Sequence, residues 1–373
     1  MTSATIFRPS PARAALSREP VYDARPQIRF SGQSDPRADA LLLDLQLEES
    51  EGGMAGLTLS FSNWASTTDN DAALAFPPDS RLRLGAGIAV LAGDREDPRP
   101  LFEGIITALE EHFGDGMAPR LVAQAEDGLQ RARLARRSRV FTARSPAAVV
   151  QDVCSELGLR VSIDGPAAPV TDWVQFDETD LCFLRRLLAG FDRDLRFVSD
   201  EVRVEARSDT QGSPLRLNVL ADLEWLEVGA DLAHQVTEVC VRGWDASAGR
   251  AVQGRASTIT NTGPGEGEEG AALLRQAFGA RPENLAHLSV ASQEEADALA
   301  RTVFDRRARG FVTARGSTEG NPLLRVGTAL ELEGGGGRFD NTYRVTLTRH
   351  RFCQARGYRT EFEAECGYVR RAS

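Results

Sequence analysis

The sequence has no lysine; all 44 of its basic side chains are arginine. The planar arginine fork pairs with carboxylates at two points and suits protein interfaces, although a GC-rich genome produces the same bias. Histidine and cysteine are scarce. His112, His234, His287 and His350 form no cluster of metal-ligand type. Cys154, Cys182, Cys240, Cys353 and Cys366 are odd in number and contain no Cys-x-x-Cys pair, which excludes a disulfide framework. Cys154 and Cys182 read as small core residues on apolar helix faces. No apolar run reaches the roughly eighteen residues a membrane-spanning helix needs. The first 25 positions lack the compact apolar block of a secretory signal, and residues 1–37 read as a flexible arm. A net charge of -10 argues against nucleic acid as the main partner.

What is present is a chain of 373 residues, too long for one simple core. Residues 38–128 read as a first β-barrel domain. Leu41, Leu43, Leu45 and Leu47 alternate, Glu49 to Gly53 supplies a turn, and Leu57, Leu59 and Phe61 alternate again, which is the pattern of a hairpin. Further strands are expected over 81–91 and 101–113, the latter closed by Gly114-Asp115-Gly116. Residues 129–212 read as a small α/β insert domain. Ser145-Pro146 opens a helix that Gly158 stops. A second helix starts at Thr179 or Asp180 and ends at Gly190, followed by strands 194–198 and 201–206. Residues 213–373 read as a second β-barrel domain containing a helix over 293–309. Ser292 and Glu295 have capping-box spacing.

Chemical motifs do not converge on a catalyst. Gly265-x-Gly267-x-x-Gly270 has dinucleotide spacing, but no strand is expected before it, and Glu266, Glu268 and Glu269 would repel a pyrophosphate. Gly334 to Gly337 lacks the Lys of a phosphate loop and reads as a turn. Asp177, Glu178 and Asp180 could form a glycosidase pair; the competing reading is charge at a helix N-terminus. His350 reads as a surface or interface residue. Arg131, Arg133, Arg136, Arg137 and Arg139 read as a solvated or interface strand, since aromatic interleaving is absent. No catalytic, cofactor or metal residue is assigned, no cofactor is expected, and the chain is read as a non-enzyme.

The residues themselves carry a resemblance. Phe176 precedes Glu178-Thr179-Asp180, then Phe183, Arg186, Leu187 and Leu188. That order resembles a pattern of late control protein D of contractile-tailed phages and of the hub part of VgrG spikes. Leu101 to Thr107, Asp231 to Val236, Val239 to Asp245, Arg325 to Gly327, Tyr343 with Val345 and His350, and Gly357 to Thr360 resemble further segments in the same order. The resemblance covers roughly residues 38–368. It implies the phage tail hub fold, two related β-barrel domains with an α/β insert. It implies a structural baseplate hub subunit, a homotrimer joining the inner tube to a trimeric spike beside other baseplate proteins. Such a subunit assembles in the bacterial cytoplasm and becomes part of a virion tail or released injection particle. Because no needle region follows, the spike is expected on a separate chain. A truncated VgrG-like spike base and a tail peptidoglycan hydrolase using Asp177, Glu178 or Asp180 are the alternatives.

Overall fold

The computed structural model describes residues 25–66, 72–93, 98–114, 116–286 and 290–370. Residues 1–24 of the expected arm, Asp115 of the expected turn, and His287 lie outside them. The chain has a β-rich α+β fold organised around one 13-stranded sheet.

The first β region orders Leu42–Ser50, Gly56–Ser62, Met117–Glu126, Arg99–Gly114, Gly87–Ala92 and Gln27–Phe30 as antiparallel neighbours. Alternate side chains, among them Ile28, Leu47, Leu59, Phe61 and Val90, fill one core. The expected arm is therefore structured from residue 25 onward. Ile28 and Phe30 are apolar at period two, so the 27–30 strand adds to the sheet edge with Ile28 opposite Val90. The leucine alternation also shifts. Pro36–Leu41 is a short helix whose cap, Asp35, accepts from the Arg37 and Ala38 amides. A register shift between Leu42 and Asp44 then buries Leu42 in place of Leu41 and Leu43, while Leu45 and Leu47 keep the expected buried face. The strand expected over 81–91 begins only at Gly87; the positive φ of Gly85 turns the chain first, leaving Leu84 exposed.

The insert contains the helices Pro146–Glu156 and Asp180–Ala189 and the strands Arg160–Ile163, Glu201–Ala206 and Arg193–Val198. Ser145 Oγ accepts from the Ala148 amide, and Thr179 Oγ1 from the Cys182 amide, fixing both starts. Ser199 and Asp200, both at positive φ, make the tight turn between the last two strands. Arg136–Arg144 and Thr171–Thr179 form a separate two-stranded ribbon on the same core. Phe183 is 1% exposed and stacks on Phe141 at 5.4 Å between centroids. Phe183→Ala is expected to cost about 3–5 kcal/mol in a urea titration.

The second β region continues the same sheet through Asn341–Cys353, Gly357–Cys366, Val312–Glu319 and Leu223–Ala230. Thr328–Glu333 pairs with the 341–353 strand and, in parallel, with Gln211–Asn218. The 341–353 strand also pairs with the 42–50 strand, from Leu347 opposite Ser50 to Cys353 opposite Asp44. The two β regions are thus one hydrogen-bonded body. Between 236 and 304 lies a further core. Glu238–Asp245, Arg250–Ala256 and Pro282–Leu285 form a three-stranded sheet covered by the helix Gln293–Arg309. The helix Gly270–Phe278 was not expected, and it lacks a side-chain cap.

Candidate assembly surfaces and their ionic junction

Four cores converge on buried charge. Glu49, at the end of the 42–50 strand, accepts from the Arg325 guanidinium by both oxygens and from Thr348 Oγ1 at 3.2 Å. Burial alone would raise the Glu49 carboxyl, but the Arg325 charge holds it below its ordinary range. Glu51, in the next turn, bonds Arg344 with one oxygen and Arg207 Nη1 at 2.9 Å with the other. Arg344 is 1% exposed and also donates to Asp209 O at 2.9 Å. Asp192, just after the 180–189 helix, takes the Arg309 fork at 2.6 and 2.8 Å. Arg309 further donates to Asn261 O at 3.1 Å and pairs with Glu365 at 3.4 Å. Each pair joins elements of different cores. A buried guanidinium is tolerated only with its fork filled, so these contacts admit few relative placements of the β regions and the insert.

Asp127 makes a further tie. Its oxygens accept from the Ala55 and Leu129 amides at 2.7 and 2.8 Å. Burial nevertheless pushes its carboxyl up to about 6. A carboxyl raised in the folded state contributes stability below its unfolded range, and that contribution is lost as pH rises through about 6. A carbon-detected titration of Asp127 is expected to show its midpoint near 6, with an ordinary aspartate value near 4 contradicting the assignment.

The outer surface offers anchors of another kind. The 99–114 and 117–126 strands form a long hairpin whose far end is exposed, with Phe113 at 67% and Met117 at 71%. On the 136–144 and 171–179 ribbon, Val140 stands opposite Val174, and Phe176 extends the same outward face. Among the described residues the 223–230 strand ends the sheet, paired on one side only, and exposes Trp225. Exposed aromatic and apolar clusters of this sort mark contact surfaces.

The singled-out residues land differently. Of the basic run, Arg131 is exposed, while Arg133, Arg136, Arg137 and Arg139 are ion-paired, as is the neighbouring Arg144. Arg133 pairs with Glu126, Arg136 with Asp177, and Arg144 with Asp152, while Arg137 and Arg139 each pair with Glu156 and Asp180. The three candidate acids are all ion-paired, Asp177 and Asp180 with arginines of this run and Glu178 with Arg186. Asp180 is 2% exposed, bonded to Arg139 at 2.9 Å and Gln175 at 3.0 Å. Glu178 is held low by its bond to Arg186. The helix cap is Thr179, and Asp180 places negative charge in the first turn of the helix while also bonding the ribbon. His350 is buried, not at the surface. It lies at 0% exposure with Nδ1 2.9 Å from Tyr358 Oη, and burial lowers it to about 3. Its strand alternation brings it inward between paired strands. Cys182 is exposed, because the 180–189 helix buries Leu181, Phe183 and Leu184 instead.

The glycine motifs serve packing. A two-residue strand, Glu268–Glu269, does sit within the Gly265–Gly270 segment, pairing with Tyr368–Val369. A Cβ at Gly265 would lie 2.6 Å from Cys366 Sγ, and one at Gly267 2.1 Å from Val369 O. These glycines admit neighbouring chain, not phosphate. The Gly334–Gly337 run is the turn between the 328–333 and 341–353 strands, tied by Asp340 to the Gly334 and Gly335 amides. The junction residues Glu49, Glu51, Asp192, Arg309 and Arg344 were not anticipated. The signal available was charge at positions flanked by core residues, as with Arg344 between Tyr343 and Val345. Among the described residues, no helix is long and apolar enough to cross a membrane.

One family model, described as the Alg8 N-terminal domain, matches residues 69–354. It is not a model of late control protein D or VgrG, the families that the motifs resemble. No curated protein matches. Among solved structures, the 43 kDa tail protein of prophage MuSo2 from Shewanella oneidensis is similar, with a TM-score of 0.68 and 12% identity, covering 91% of this chain and 97% of that one. A tail protein from Neisseria meningitidis gives 0.66 and 10%, over 91% and 96%. A component of the type VI secretion system of E. coli gives 0.56 and 15%, over 93% and 79%. At such identities the likeness shows the fold.

Proposed function

We propose that this chain, which belongs to the Alg8 N-terminal domain family, is a structural hub subunit of a contractile tail or injection particle. The observation that supports this most is the fold it shares with phage tail proteins over 91% of its length. The paired 42–50 and 341–353 strands support it further, because they hold two β regions in one fixed relation. In a homotrimer, closed rotational symmetry repeats each patch three times, so two similar β regions per copy offer six related surfaces. A hexameric inner tube meets the six, and a trimeric spike meets the trimer. The particle assembles in the bacterial cytoplasm, with other baseplate proteins around the hub.

On this reading the junction is a brace and the outer anchors make the contacts. The double variant F113S/M117S is expected to leave the unfolding midpoint unchanged, because both side chains are exposed. It is expected to weaken association with the tube or spike protein by about tenfold or more. Unchanged association would remove the hairpin tip from the contact surface. Class averages of the reconstituted complex are expected to show threefold symmetry. A type VI spike base is the second reading, supported by the likeness to the E. coli component.

A further inference from the structure

Between the 51–55 turn and the 180–189 helix lies a cleft of about 540 Å³. Its walls carry four guanidinium groups, Arg133, Arg185, Arg186 and Arg207, against the apolar Met54 and Leu181. Three are spent. Arg133 pairs with Glu126, Arg186 with Glu178, and Arg207 with Glu51. Arg185 has no ion-pair or hydrogen-bond partner among the described residues, and its Nε is buried with no acceptor.

We propose that this cleft binds an anionic group, a carboxylate or a phosphate, through the Arg185 fork. A guanidinium presents five donors in one plane and accepts nothing, so only acceptor oxygens satisfy it. Two oxygens on one centre match the fork at both points. Two carboxylates lie in the field of Arg185, Asp127 and Asp194. Neither makes a hydrogen bond or ion pair with it: Asp127 accepts from the Ala55 and Leu129 amides, and Asp194 accepts from the Gly52 amide at 2.6 Å through Oδ1 while its Oδ2 lies 3.7 Å from Arg196 Nε. Their negative charge limits affinity, so binding belongs to the roughly millimolar range. The apolar wall of Met54 and Leu181 reduces competition from water and strengthens a charge-assisted bond there. This inference stands apart from the assembly role, because it concerns one unanswered group in one cleft.

Calorimetric titration of the full chain with inorganic phosphate, and separately with glutarate, tests it at constant ionic strength. Saturable binding of either is expected; phosphate alone identifies a phosphate site, and glutarate alone a carboxylate site. Arg185→Gln is expected to weaken it by about tenfold or more. Arg131→Gln, an exposed position outside the cleft, is expected to leave it unchanged. Arg185→Lys keeps the charge but loses the fork, so it is expected to bind between wild type and Arg185→Gln, and it reads the site if the glutamine variant unfolds. No binding of either anion, or binding unaltered in both Arg185 variants, would overturn the proposal.

Discussion

Arg309→Ala is expected to destabilise the chain by about 3–5 kcal/mol, the range for breaking a buried ion pair by removing one partner. Arg309 is 3% exposed, and its fork fills both oxygens of Asp192. Its removal takes the cation from the buried Asp192 and the partly buried Glu365. Burial raises the Asp192 carboxyl and the Arg309 charge brings it below its ordinary range, so the pair's contribution is present above the unfolded carboxyl range and is lost as pH falls. In the variant both acids move upward and favour the protonated form. The deficit is therefore expected to be largest near neutral pH and to shrink toward acid. Urea unfolding of wild type, Arg309→Ala and Arg309→Lys at two pH values measures this. A loss under about 1 kcal/mol would class the contact with exposed salt bridges.

Gly254→Val carries the second large effect. A Cβ at Gly254 would lie 2.0 Å from Ala296 O and 2.2 Å from Ala296 C, both backbone atoms of the 293–309 helix. No rotamer relieves a clash with backbone, so the helix must leave the sheet that it covers. That sheet contributes Val239, Val241 and Val252 to the local core. The expected cost is about 3 kcal/mol or more, at the upper end for overpacking. Hydrogen exchange should accelerate over 238–256 and 293–309 while the first β region keeps its protection. Gly249→Asn is the control, since a Cβ there meets nothing within 4 Å and Asn tolerates its φ of +59°. A loss confined to Gly254→Val follows from the packing; equal losses in both would contradict it.

Local grammar made the helices legible. The cap residues Ser145, Thr179 and Ser292 each hold the amide three residues on, and the structured lengths follow from the stripes behind them. The 270–278 helix lacked that signal, because Glu269 gives no side-chain cap. The register shift after Leu42 was invisible for a different reason. Period-two patterning permits either face until a neighbouring strand selects one. The parallel pairing of 211–218 with 328–333 joins residues more than a hundred positions apart, and neither segment records the other. The same limit hid the junction. Glu49 and Glu51 read as turn residues because their arginines, Arg325 and Arg344, stand far along the chain. Conversely, Asp177, Glu178 and Asp180 looked like a site because their partners, Arg136, Arg186 and Arg139, were not visible as partners.

The central claim is that this chain assembles as a trimer between tube and spike. Light-scattering mass measurement of the chain mixed with the spike and inner-tube proteins of the same gene cluster tests it most directly. The predicted result is a complex containing three copies of this chain. A chain that stays monomeric and ignores both proteins would contradict it.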